Sequence, residues 1–196
     1  MKDQKKETCT YNNIEKDKVN DKNIYSNHMN INLGVLKLSI VAVFTAAAIV
    51  LSIFESLLPA LPFLPPGAKL GISNVASMSV AGALGIPSSM LVAVLKSLFV
   101  GLTRGFTAFL MSFFGSILST LVTGLLLKLK RNPFGFIGIG IFGALTHNMS
   151  QLAVAYFLTG APVFYYFPII VIASIIFGSV TGLMLKIVLP IIDRVI

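Results

Sequence analysis

Runs of about 20 consecutive apolar residues, the length a helix needs to cross a bilayer, recur in this chain from about Val35 to Leu189. No other feature restricts the fold as tightly. Inside hydrocarbon every backbone N–H and C=O needs a partner within the chain, which leaves helices or a closed barrel. The runs are continuous rather than alternating, which favours helices. Composition agrees: 56% of the 196 residues are hydrophobic and 11% are charged, with a mean hydropathy of +0.89. The expected fold is therefore an all-α, polytopic membrane helix bundle.

Residues 1–32 differ in kind. They are rich in Lys, Asn and Asp, with almost no periodic apolar residue, and such a composition does not bury enough surface to order itself. They are expected to form a disordered cytosolic tail and not a signal peptide. Residues 33–196 form the membrane domain. Its six expected spans run from about Val35 to Leu57, Lys69 to Leu84, Ser88 to Thr103, Phe106 to Leu127, Phe134 to Leu158 and Val163 to Leu189. The second and third read as short. A proline-rich loop, Pro59–Gly67, enters the second span, and Gly85-Ile86-Pro87 turns into the third.

Nine bases lie beyond residue 34 against two acids, Glu55 and Asp193. Most bases sit at span ends, so topology explains them better than nucleic acid does. Placing both termini in the cytoplasm puts Lys37, Lys128, Lys130, Arg131, Lys186 and Arg194 inside, as the positive-inside rule requires. Lys69 and Arg104 then stand outside as exceptions. Phe164, Tyr165, Tyr166 and Phe167 suit an interfacial aromatic belt. The single Cys9 gives no disulfide or metal framework.

Polar groups within the spans mark the candidate site. Lys69, Ser73 and Ser77 are four apart on one helical face, with Asn74 beside them. A snorkelling lysine explains Lys69 as readily as a ligand contact does, but an amide in hydrocarbon needs a partner. In "GALTHNMSQL" the helical period places His147, Asn148 and Gln151 toward one side, more polarity than packing usually requires. Lys96 lies in the middle of the third span. Glu55 is the natural ion-pair partner of one of Lys69, Lys96 or Arg104. The surplus of cations leaves that half of the bundle electropositive and attractive to an anionic or polar solute. Small-residue faces, such as Ala42 with Ala46, allow close helix approach.

Some activities lack their residues. No GxxxxGK[ST] loop is present for ATP, no acid pair for magnesium, and no Ser-His-Asp set. No cofactor and no enzymatic activity are expected of this chain.

"PGAKLGISN", Pro66 to Asn74, resembles the PGxKLGLAN signature of the Gx transporter family. "THNMSQL" resembles that family's A-H-N-x-x-Q-L stretch, "VLKSLFVGL" its third-span segment, and "YYFP" its entry to the last span. Ile72 and Ser73 depart from the usual leucine and alanine without changing the Lys–Asn spacing. Proteins of this kind also carry the label heptaprenyl diphosphate synthase component I, and they are similar to the substrate-binding S components of energy-coupling factor (ECF) importers. The resemblance covers about Val35 to Leu189 and implies an S-component-like bundle in the cell membrane. It implies a small vitamin-like solute near the outer face; the residues expected to bind it are Lys69, Asn74, Lys96, Arg104, His147, Asn148 and Gln151, and the surplus of bases with Tyr156, Tyr165 and Tyr166 suits an anionic or aromatic one. It further implies docking through Ala42 and Ala46 onto a coupling protein driven by two ATPases. The alternative is a non-catalytic membrane subunit of polyprenyl diphosphate or quinone synthesis.

Overall fold

The computed structural model describes residues 34–57, 71–129, 135–160 and 163–194. The tail, the proline loop and Lys69 lie outside the described residues. The chain divides into two units, residues 1–39 and 40–196, and the packing below belongs to the second.

Among the described residues there are six α-helices and no strand. They are α1 Gly34–Leu57, α2 Asn74–Ala83, α3 Ile86–Arg104, α4 Phe106–Lys128, α5 Gly135–Thr159 and α6 Phe167–Asp193. A single 3-10 turn, Val163–Tyr166, precedes α6. Four helices, α1, α3, α4 and α6, are long and apolar enough to cross a membrane. α5 has 25 residues, about 37 Å at 1.5 Å per residue, but a polar centre. The protein is a helical membrane bundle.

Three expected spans differ from their sequence bounds. The third reaches 19 residues, about 28 Å, and is not short. The second contributes a helix of ten residues, about 15 Å against a hydrocarbon core of about 30 Å. The sixth begins four residues later than expected because Pro168 sits in the first turn of α6, where its missing N–H costs nothing.

α3, α4, α5 and α6 pack each against the next, antiparallel because short connections join them. The turn from α3 to α4 is the single residue Gly105, at φ +92°, a conformation that side chains with a Cβ avoid. One end of the bundle carries Lys128, Lys186 and Arg194; the other carries Arg104, Thr159 and Tyr165. α5 and α6 touch backbone to backbone: a Cβ at Gly178 would lie 2.5 Å from Ile141 Cα, and one at Gly182 2.4 Å from Phe136 O. Small residues permit this approach, which dispersion then rewards.

α2 is enclosed. It packs on α3, α4 and α6, and its Ala76 and Val80 meet Val41 and Ala48 of α1. Every residue from Asn74 to Ala81 is buried. The outward faces of the longer helices carry exposed Leu98, Leu102, Phe157, Ile172 and Ile176, as a lipid-facing surface does.

Candidate functional site

The enclosed N-terminus of α2 is where the polar side chains meet. The chain enters it through Gly71-Ile72-Ser73, and a backbone bond from Asn74 N to Gly71 O, 3.0 Å, closes the turn. α1 brings Glu55, α3 brings Lys96, α4 brings Ser116, and α5 brings His147 and Gln151. Lys96 and Gln151 each lie about two helical turns from the Arg104 end of their helices, so they share a depth.

Ser73 links the two charges. Its backbone N–H donates to Glu55 Oε1 at 3.2 Å and its hydroxyl to Glu55 Oε2 at 3.1 Å. The Lys96 ammonium donates to Ser73 Oγ at 3.5 Å and to the side-chain oxygen of Asn74. Ser116 donates its hydroxyl to that same oxygen at 3.2 Å. Lys96 is 2% exposed and Glu55 9%. Buried ions of opposite sign persist only when hydrogen bonds complete their surroundings, and Ser73 and Asn74 supply these.

His147 adjoins the amide. A Cβ at Gly71 would lie 3.2 Å from His147 Cδ2 and 3.6 Å from Asn74 Nδ2. On the other side of the ring, a Cβ at Gly115 would lie 2.7 Å from His147 Cε1 and Nδ1. Two bare Cα atoms thus grip the imidazole. Gln151 Nε2 lies 2.9 Å from His147 Nε2 and fixes the ring's rotation. The result is an ammonium, a carboxylate, two amides and an imidazole gathered in an enclosed setting, where electrostatic contacts are strong.

The other expected site residues lie elsewhere. Asn148 turns to α6, where its Nδ2 donates to Ser174 Oγ at 2.9 Å; this bond clamps two helices. Arg104 is exposed at the end of α3 and lines two cavities. One, of about 250 Å³, lies against Thr107, Met111, Ala155 and Thr159. The other, of about 280 Å³, lies against Ser52, Ser56, Phe99 and Thr103. Ser73 sits in the turn before α2 and not on its face with Ser77. Ala42 and Ala46 are exposed on α1. Gly71, Gly115 and Ser116 escape the sequence reading. The signal for the last two is the repeat of Ser112, Gly115, Ser116, Ser119, Thr120 and Thr123 along one face of α4. Among the described residues no three His, Cys, Asp or Glu side chains group as metal ligands would.

The fold and this cluster define a class: polytopic helical membrane proteins with a polar site enclosed by the bundle. The chain matches the family described as heptaprenyl diphosphate synthase component I over residues 44–188, well over half its length. It belongs to that family. No curated protein and no solved structure matches it.

Proposed function

We propose that this chain is a membrane-embedded binding subunit, which holds the anionic or polar group of a small molecule at Lys96, Asn74 and Gln151 and works through partner proteins. Lys96 carries the reading. It is fully enclosed in a helix apolar enough to cross a membrane. Intramembrane ions are costly and mark ligand or ion pathways.

The family description supports one kind of partner: a catalytic subunit of polyprenyl diphosphate synthesis, for which this chain is the non-catalytic membrane component. The diphosphate of such a partner's substrate or product is the kind of anion the cluster suits. A second reading, the S component of an ECF-type importer, is favoured by a separate observation: the exposed Ala42 and Ala46 leave a small-residue face on α1 for a coupling protein driven by ATPases. In that reading Arg104 faces outward and the Lys128 end faces the cytoplasm.

Affinity purification from native membranes in mild detergent separates them. A soluble prenyltransferase in the eluate supports the synthase subunit; a membrane coupling protein with two ATPases supports the importer. Recovery of neither, with no small molecule retained, contradicts both.

A further inference from the structure

Hydroxyls in apolar helices normally return a hydrogen bond to the carbonyl four residues earlier. Thr45, Ser79, Ser97, Ser150 and Thr181 do so here, at 2.7–2.8 Å. Ser119, Thr120 and Thr123 do not. These residues are 0–1% exposed, and their buried hydroxyls have no hydrogen-bond partner within the protein. They continue the face that begins with Ser112, bonded to Ser97 at 3.3 Å, and Ser116, bonded to Asn74.

That face looks into the bundle. Gly115 meets His147, Gly124 meets Ile86, and Thr123 Oγ1 lies against Gly143 of α5 beside the flexible side chain of Met78. An unpaired hydroxyl in hydrocarbon is a standing cost that alanine or valine would remove. Packing therefore gives no reason for three on one face. A polar group moving along the seam does.

We propose that the inward face of α4, from Ser116 to Thr123, is a hydroxyl-lined track that takes water and the anionic end of the ligand from the Lys96 cluster toward the Lys128 end. This rests on the binding-subunit reading and extends it to passage. Hydroxyls donate to an anion, and Lys96 at the entrance excludes cations. Met78 fills the notch over Gly143 when the track is closed, and an unbranched thioether moves readily.

The test uses the full chain in native membranes, with Cys9→Ser and one new cysteine at a time. The probes are membrane-impermeant methanethiosulfonates, one carrying a sulfonate and one a trimethylammonium group. Ser119→Cys, Thr120→Cys and Thr123→Cys should react with the sulfonate about tenfold faster than Leu118→Cys or Leu125→Cys, whose thiols face lipid and stay protonated. The sulfonate should also outpace the ammonium. Labelling at the three positions no faster than at the controls, or faster with the cation, overturns the track. Small-molecule recovery from Lys96→Met protein is scored separately. Slow labelling with Lys96-dependent recovery removes the track and leaves the binding site standing.

Discussion

At the scale of single residues, the cluster is a balance of two buried charges through one hydroxyl. Lys96→Met leaves Glu55 buried without its compensating cation, a cost of about 3–5 kcal/mol. The double variant Glu55→Gln with Lys96→Met removes both charges and should recover most of that loss. A thermodynamic cycle from thermal unfolding in detergent should give a coupling above about 1 kcal/mol; additivity would mean that Ser73 does not join the pair. Three glycines separate backbone strain from crowding. Gly105→Ala meets no atom within 4 Å at φ +92° and ψ 176°, so it should cost only the backbone strain of that glycine-favouring region, about 1–3 kcal/mol. Gly115→Ala meets the imidazole at 2.7 Å with no positive φ, a crowding cost of about 1–3 kcal/mol. Gly71→Ala combines both and should lower the melting temperature most.

At the scale of elements, α5 and α6 form the tightest pair. A methyl at Gly178 or Gly182 strikes backbone, which does not swing aside as a side chain does. Gly178→Ala or Gly182→Ala should cost about 3 kcal/mol or more and spread the monodisperse size-exclusion peak. The apolar spans were legible because about 20 apolar residues in water have no other stable use. That α2 is short was legible as well; its start at Asn74 and its enclosure were not. Nearly every residue of α2 is buried, so no polar face marks its limits, and its enclosure comes from helices distant in sequence. Of the site, Asn74, Lys96, His147 and Gln151 were legible as polar residues in apolar runs. Glu55 was expected beside one of three bases, but that Lys96 is the base it approaches through Ser73, and that Ser116 joins Asn74, was not legible, because both depend on helix rotation. Asn148 shows the limit: next to His147 in sequence, it sits about 100° round the helix and bonds α6 instead.

At the scale of the whole molecule, binding is proposed for the interior and partner docking for the exterior. Ala42→Leu and Ala46→Leu lie on an exposed face and should leave stability within about 0.5 kcal/mol. If α1 is the docking helix, they should nevertheless abolish co-purification of the partner; an undiminished eluate would move docking elsewhere. The central claim is that the enclosed cluster holds a ligand. Its most direct test is mass spectrometry of small molecules released on denaturing the purified protein, wild type beside Asn74→Ala, each first shown to be monodisperse. Wild type should release a molecule bearing an anionic or strongly polar group and the variant should release none. Equal release from both would contradict the account.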